Sequence, residues 1–442
     1  MNNQGFRLSI ISILLLLATL LFCSCAFRDG LVESARPRGS WTVILYFGVD
    51  NYQFGTFPTD LWGLTDNIVA GASSLARPDS PILLLYDGAK VGDSRIFELS
   101  TKGVIDDRGA VIPASGEVNY GEADVMSKFI IWAARMYPAD HYLLGLCHHY
   151  GWQGYNTDES SPGPMGMDII TLPEHAAAMR KVREAGIKID VIWFEACSIT
   201  MIETLYQYAG DADYVVGNED TIDFYEEILR VPGMMAWMRK YPGASPEELA
   251  RELVDQVPMI TPSLITNQFL PLQYVSARKT PGGKASLDRL GSVWLPTQFA
   301  FEGAKVPAAA RAVDRLSEVL LDDLDRRRPA LGRARARAKE YTLCPWYVDL
   351  YDLCRLLAEE TDDPEVRAAC QEVMAAVEGS VFARKTMRVD KRHHGVLILF
   401  PLTPEEWEAE RTNRFDPENR YLDLAFARDT GWDELLEAYF DF

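Results

Sequence analysis

The segment Asp190–Cys197 constrains the fold of this chain more than any other stretch. Its central run, Val191–Phe194, is apolar and contains β-branched residues, and the cysteine that follows stands between two small residues. A short apolar run of this kind is typical of a strand buried inside a sheet. The sequence therefore predicts a buried strand that delivers the Cys197 thiol to the carboxyl end of the sheet.

A second apolar run, Tyr142–Cys147, is followed directly by His148 and His149. His148 lies about 50 residues before Cys197, a spacing known for the base and nucleophile of one class of cysteine peptidase. An imidazole raises the thiolate population of a neighbouring cysteine and later protonates the leaving amine. Two parallel strands, each ending at one of these residues, would bring the pair together. A metal site is disfavoured here, because adjacent residues at a strand end point to opposite faces.

Strand-like and helix-like segments alternate through the middle of the chain, which predicts a three-layer α/β/α sandwich with a mainly parallel sheet. Past about residue 240 the pattern becomes mostly helical, and the late run Gly395–Phe400 predicts one more buried strand. The predicted strands are Trp41–Phe47, Ile82–Tyr86, Tyr142–Cys147, Asp190–Cys197 and Ala212–Gly217. The predicted helices are Gly121–Tyr137, Pro173–Glu184, one that begins just after Cys197 with Ile199, Ile202 and Tyr206 on one face, Ser245–Val257 and Pro307–Glu340.

The N-terminus predicts an export signal. Arg7 precedes the apolar run Leu8–Phe22, which is shorter than a comfortable membrane span. Cys25 follows the small residue Ser24, a pattern that resembles the lipid-attachment site of bacterial lipoproteins. We therefore expect secretion with a lipid anchor at Cys25 on a bacterial cell envelope. Ordinary signal cleavage is the alternative.

Four regions follow from these patterns. Residues 1–25 are the signal peptide, 26–39 a polar tether, 40–240 the core domain, and 241–442 a C-terminal region that packs on this core.

The net charge of −20 argues against nucleic acid or an anionic membrane surface as a main partner. The arginine-rich part of Pro307–Glu340 is interleaved with acidic residues, which favours a solvated helix face over nucleic-acid binding. His393 and His394 are expected in a surface turn.

Seven cysteines are present, and two of them belong to the leader. The remaining five form no tight metal-binding spacing, and their odd number makes a disulfide framework improbable. Cys147 and Cys354 stand in apolar surroundings and are expected in the core.

The order of these motifs resembles the clostripain-like cysteine peptidases, which belong with caspases, legumains and gingipains. The Asp190–Cys197 segment is similar to the nucleophile strand of that family, and His148 stands four residues before Trp152, as in the family's histidine motif. Further matching segments are Trp41–Tyr46, Val49–Asn51, Tyr137–Tyr142, Ala212–Glu219, Tyr347–Leu350 and Gly395–Pro401.

The resemblance implies a caspase-like fold and peptide hydrolysis by a dyad of Cys197 and His148, with His149 as the alternative base. It also implies an oxyanion held by the backbone N–H groups of Cys197 and His149. His149 stands where the family has Gly, so a Gly-only backbone conformation would be strained there. Glu195 stands where the family has Asp. Because the loop Gln153–Met179 contains no Lys or Arg, self-cleavage between the two strands is not expected.

Family members commonly prefer Arg or Lys before the scissile bond, and such a pocket needs a carboxylate. The candidates are Glu219, Glu195 and Asp220. No cofactor is expected, although Ca²⁺ bound through Asp50 or Asp158 is a further option. Two rivals to a peptidase are open: a binding module that keeps the fold with a degenerate site, which His149 would favour, and a transpeptidase or amidase on the same dyad.

Overall fold

The computed structural model describes most of the chain from residue 37 onward. The described ranges are 37–48, 80–88, 91–99, 103–107, 109–147, 150–151, 153–158, 160–161, 163, 166–220, 233–256, 297–341, 344–386, 392–413 and 416–441. The predicted leader and Cys25 lie outside them. Within these ranges, no helix has the length and apolar character needed to cross a bilayer.

Fifteen strands occur in the described ranges. In chain order they are β1 Gly39–Gly48, β2 Ile82–Asp87, β3 Arg95–Glu98, β4 Gly103–Ile105, β5 Ala139–Cys147, β6 Tyr150–Gly151, β7 Gly154–Asp158, β8 Asp168–Ile170, β9 Ile189–Glu195, β10 Ala212–Asn218, β11 Thr297–Glu302, β12 Glu340–Tyr341, β13 Cys344–Asp349, β14 Val381–Thr386 and β15 Leu397–Leu399.

Helices in the described ranges lie between several of these strands and at the C-terminal end. They are α1 Ala123–Met136, α2 Leu172–Glu184, α3 Ile202–Tyr208, α4 over 233–240, α5 Pro246–Asp255, α6 Val306–Asp322, α7 Leu324–Arg337, α8 Leu350–Glu360, α9 Pro364–Ser380, α10 Pro404–Arg411, α11 Ala425–Asp429 and α12 Trp432–Phe440. Short 3₁₀ turns cover Gly303–Lys305 and Tyr421–Asp423.

A nine-stranded sheet organises the molecule, in the order β14-β11-β10-β9-β5-β1-β2-β3-β4. Its five central strands, β10 to β2 in that order, run parallel, and the outer strands pair antiparallel. Strands β11 and β14 belong to the C-terminal half of the chain yet extend this same sheet. Two three-stranded sheets, β12-β13-β15 and β6-β7-β8, lie beside it.

Both faces of the large sheet are buried, because alternate side chains of each central strand enter two separate hydrophobic clusters. Ile44 and Phe194 belong to the cluster that includes residues of α1, α2, α3 and α6. Leu45 and Trp193 belong to the cluster formed with α4 and α5. Continuous apolar runs are what a sheet buried on both faces requires. The predicted three-layer sandwich with a mainly parallel sheet is confirmed.

The helix after the nucleophile strand begins later than the sequence predicts, at Ile202 rather than just after Cys197. The intervening residues bond to neighbouring strands instead: the Ile199 N–H donates to the Asn218 carbonyl over 2.9 Å, and Met201 pairs with Leu397. Tertiary pairing thus overrides the helical spacing at Ile199.

The predicted helix Pro307–Glu340 is two helices, α6 and α7, that meet at Asp323. Its arginine-rich part is not simply a solvated face. Arg327 and Arg335 are buried, and Arg335 donates to the carbonyls of Phe400 and Pro345 over 2.6 and 2.7 Å. These two arginines therefore tie α7 to neighbouring segments.

Candidate active site

Cys197 lies in the turn directly after β9, at the carboxyl edge of the parallel strands. It carries a thiol and is partly exposed. In the adjacent strand β5, Cys147 pairs with Glu195, two residues before the nucleophile candidate. His148 and His149 follow Cys147 but lie outside the described residues, as does Trp152.

The turn that holds Cys197 is tied to the end of β10. The Ser198 N–H donates to the Asp220 carbonyl over 3.2 Å, while the next residue donates to Asn218. Ser198 adopts a left-handed backbone conformation, with φ of 47°. A non-glycine residue in this conformation must be held by its surroundings, and such residues cluster at functional sites.

Cys344, at the start of β13, lies close to Cys197. Burial, followed by the negative charges of a Cys197 thiolate, Glu410 and Asp220, raises the pKa of the Cys344 thiol to about 12. Because a thiol must ionise to act as a nucleophile, these surroundings keep Cys344 protonated. Of the two neighbouring cysteines, the partly buried Cys197 is the better nucleophile candidate.

A contact from the C-terminal region reaches the loop after the histidine pair. The Gln153 side-chain amide donates to the Glu410 carboxylate of α10 over 2.9 Å, and the Asn413 amide donates to the Gln153 carbonyl over 3.3 Å. The charge of Glu410 also raises the pKa of the Cys344 thiol. Helix α10 therefore borders the edge of the sheet at which Cys197 and Cys344 lie.

Glu219, the first choice for a pocket carboxylate, is fully buried and engaged by protein groups. One carboxyl oxygen accepts from the Tyr341 hydroxyl, and the other accepts from the Gly395 N–H over 3.0 Å. The His393 Nδ1 lies 3.5 Å from the second oxygen. These contacts weigh against a substrate-binding role for Glu219.

Glu219 also shares a proton with a second buried carboxyl, Asp349. Burial, followed by the charge of Asp349, holds the pKa of Glu219 well above its usual range. Burial opposes ionisation of Asp349 too, but hydrogen bonds from His394 and Glu219 outweigh it and lower the pKa of Asp349. The proton therefore resides on Glu219, and Asp349 is the ionised partner.

The prediction of a surface turn at His393 and His394 is wrong for His393, which is buried beside Glu219. His394 is half-buried; its backbone N–H donates to Asp349 over 2.7 Å, and its ring stacks on Tyr351 with centroids 4.2 Å apart. The side chains of two consecutive histidines thus each lie beside a buried carboxyl group, His393 beside Glu219 and His394 beside Asp349.

The other two pocket candidates lie beside the nucleophile turn. Glu195 is the last residue of β9, and Asp220 is the residue whose carbonyl accepts from Ser198. Both are buried. The Asp220 N–H donates to the Thr297 hydroxyl over 2.9 Å, which anchors this residue to β11.

Of the two residues suggested for Ca²⁺, Asp158 is the one within the described ranges. Asp50 lies outside them. Both oxygens of Asp158 accept from protein donors, namely the N–H groups of Tyr120, Ser160 and Ser161 and the Ser160 hydroxyl. A different acidic group, formed by Asp87, Asp93 and Glu117, brings its carboxylate oxygens within 4.8 Å of one another.

Comparison with known families decides the relationship that these motifs suggest. Residues 65–260, which include both His148 and Cys197, match the model of the Clostripain family. This segment is similar to the clostripain family. The predicted resemblance is confirmed, and the match supports the predicted cysteine peptidase, whose substrates are peptides or proteins.

Solved structures of C11 proteases are similar to this chain in fold. An inactive zymogen C11 protease from Parabacteroides distasonis has a TM-score of 0.56 at 16% identity, over 89% of this chain and 99% of that chain. A secreted C11 cysteine protease from Bacteroides thetaiotaomicron, in complex with an irreversible peptide inhibitor, has a TM-score of 0.54 at 17% identity, over 90% and 100%. A comparison with curated protein sequences finds no match.

Sequence reasoning missed several residues of this site. Cys344, Glu410 and Tyr341 come from far along the chain, and each meets the site only through tertiary pairing. A single sequence offers no periodic or spacing signal for such contacts. The sequence signal that comes nearest to these contacts is the apolar run Gly395–Phe400, which correctly predicts strand β15 before α10.

Proposed function

We propose that this chain is an endopeptidase in which Cys197 and His148 act as a catalytic dyad. The observation that carries the proposal is the register of β5 and β9, which aligns Cys147 with Glu195 at the carboxyl edge of the sheet. Each strand then continues within two residues to its candidate, His148 or Cys197. Parallel strands that end side by side are a recurrent way of assembling catalytic groups in α/β folds.

The dyad would hydrolyse a peptide bond in two stages. The Cys197 thiolate attacks the scissile carbonyl carbon, and the tetrahedral intermediate collapses as protonated His148 donates a proton to the leaving amine. A water molecule, deprotonated by His148, then attacks the thioester and releases the acid. Cys197 is the single nucleophile in this scheme, because the surroundings of the neighbouring Cys344 keep that thiol protonated.

The negative oxygen of each tetrahedral intermediate needs positioned donors. Within the nucleophile turn, the N–H groups of Ser198 and Ile199 already donate to carbonyls of Asp220 and Asn218. Following the family resemblance, we assign the oxyanion to the N–H of Cys197, with the N–H of His149 as the second donor.

We propose cleavage after Arg or Lys, with a different order of candidate carboxylates from the one that the sequence suggests. Glu219 is neutral and bonded internally, so it is a poor partner for a guanidinium. Asp220 becomes the first choice, because its backbone bond to Ser198 places it next to the Cys197 turn and its charge acts on Cys344. Glu195 is the second choice. A buried guanidinium requires such a partner, since an unpaired charge is strongly disfavoured.

We further propose that the protein is exported and held on the bacterial cell envelope by a lipid on Cys25. The leader motif supports this location. Metabolic labelling with a fatty-acid probe should be lost in Cys25→Ala and kept in Cys23→Ala. A mature protein with an unmodified N-terminal residue would indicate secretion without an anchor.

Turnover of a peptide library tests the proposed activity. Wild type should cleave after Arg or Lys, Cys197→Ala should be inactive with an unchanged circular dichroism spectrum, and Cys344→Ala should retain turnover as the control for the neighbouring thiol. Asp220→Asn should weaken the basic preference more than Glu219→Gln does. A folded wild type that binds peptides without cleaving them would instead favour the degenerate binding module, which His149 in the glycine position would explain.

A further inference from the structure

The helices α8 and α9 form a hairpin in the C-terminal region. Only residues 361–363 separate the end of α8 at Glu360 from the start of α9 at Pro364. A connection this short makes consecutive helices antiparallel neighbours. Residues at equal distances from the connection therefore face each other across the pair.

Two cysteines occupy equivalent levels of this hairpin. Cys354 lies six residues before Glu360, the last residue of α8, and Cys370 lies six residues after Pro364, the first residue of α9. Both are completely buried and belong to the same hydrophobic cluster. Sequence position, helix geometry and burial thus point the two side chains at one another.

The two thiols are in direct contact. The side-chain hydrogen bond from Cys370, followed by burial, raises the pKa of the Cys354 thiol well above its usual range. A thiol held in this state does not ionise and reacts poorly once the protein is folded. Oxidation of this pair would therefore take place during folding, before α9 closes over α8.

We propose that Cys354 and Cys370 form a disulfide bond that staples α8 to α9 when the chain folds in an oxidising compartment. The two thiols lose two protons and two electrons as the S–S bond forms. A disulfide, either glutathione disulfide or the active-site disulfide of an oxidoreductase, accepts the electrons and is reduced to two thiols. This inference goes beyond the peptidase activity and would stand if Cys197 proved inactive.

A single staple is compatible with the odd number of cysteines after the leader. The bond would join residues on either side of a short connection, and closing such a loop restricts the unfolded chain. Cys344, which lies next to Cys197, would remain a thiol and leave the catalytic edge unaffected. Disulfides persist in secreted and envelope proteins, the setting that the leader predicts.

Peptide mapping of the full chain, refolded in a buffer of reduced and oxidised glutathione, tests the proposal. The protein is denatured with a maleimide and digested without reductant. We expect a peptide pair that joins Cys354 to Cys370 and disappears after reduction, while Cys344 carries the maleimide. Maleimide on both Cys354 and Cys370 of the folded, oxidised protein would overturn the proposal.

The melting temperature provides a second readout. For wild type it should fall when the refolded protein is reduced, and for the double variant Cys354→Ala/Cys370→Ala it should not respond to reductant. A wild-type melting temperature that ignores reductant would count against the staple, even if the double variant does not fold. Peptide cleavage by the refolded wild type is recorded separately, so failure of the dyad and failure of the staple are distinguishable.

Discussion

The backbone N–H of Ser198 donates a 3.2 Å hydrogen bond to the carbonyl of Asp220, and this bond ties the nucleophile turn to the second residue after β10. Together with the bond from Ile199 to Asn218, it fixes the direction in which the chain leaves Cys197. The position of the candidate nucleophile therefore depends on the packing between this turn and β10.

Gly217 provides a test of that dependence. A Cβ at this position would lie 2.5 Å from the Ile199 Cγ2 atom, so Gly217→Ala must displace the turn. We expect turnover to fall by roughly 10- to 100-fold, because small misplacements of reacting groups are costly. We also expect a loss of about 1–3 kcal/mol in the free energy of unfolding from overpacking. The matched control is Gly210→Ala, where a Cβ meets no atom within 4 Å.

The histidine pair separates the two possible assignments of the base. His148→Ala should lower turnover by about 10²–10⁴-fold, the usual effect of losing a general base. His149→Ala should have a much smaller effect, since only its backbone N–H has a proposed role. His149→Gly restores the residue typical of the family and should leave activity unchanged or higher. A larger loss in His149→Ala than in His148→Ala would shift the base by one residue.

Glu203 predicts a pH dependence of stability. It lies in α3, where its Oε1 accepts from the Leu399 N–H and the Tyr421 hydroxyl, and burial raises its pKa to about 7. A raised pKa means that the folded state binds the proton more tightly than the unfolded state does. The stabilisation is complete below the unfolded value of 4.5 and is lost as the pH rises through about 7.

Denaturant unfolding of Glu203→Gln at several pH values measures this effect. Relative to wild type, the variant should gain about 3 kcal/mol between pH 4.5 and pH 8, because it has no carboxyl to ionise. The control is Glu184→Gln at an exposed position of α2. A stability difference between wild type and Glu203→Gln that stays constant with pH would contradict the assignment.

Two substitutions of Glu219 should differ sharply in their effect. Glu219→Gln keeps a neutral group, whose carbonyl oxygen can accept from the Gly395 N–H and whose NH₂ group can donate to the Tyr341 hydroxyl oxygen, so we expect a change of less than about 1 kcal/mol in the free energy of unfolding. Glu219→Ala leaves those donors and Asp349 buried without their partner and should cost about 2–4 kcal/mol. Equal stabilities of the two variants, measured by urea unfolding, would show that the shared proton is misassigned.

Much of the parallel core could be predicted from the sequence, because strands buried on both faces must be continuously apolar. The runs at Ile82–Asp87 and Ile189–Glu195 show this pattern, and their predicted boundaries agree with the structure to within a residue or two. The placement of Cys197 at a strand end followed from the same argument. The start of helix α5 could also be predicted, because Ser245 is a typical N-cap residue. In the structure its hydroxyl accepts from the Glu248 N–H over 3.3 Å.

The contacts between distant segments could not be predicted. Gly395 bonds to Glu219 across 176 positions of the chain, and nothing in either local sequence indicates the pairing. For the same reason, a His-His pair with polar neighbours indicated a surface turn, although one member is buried. Local patterns report the burial of a segment, whereas the partner of a buried polar group depends on how the sheets pack.

Covalent labelling of the cysteines tests the central claim, that Cys197 is the nucleophile, most directly. The folded protein is incubated with a peptidyl electrophile that carries Lys or Arg next to the reactive group, and intact mass and peptide mapping locate the adduct. We predict one adduct per chain, on Cys197, which is lost in Cys197→Ala and retained in Cys344→Ala. An adduct on Cys344, or equal labelling of Cys197→Ala and wild type, would contradict the proposed dyad.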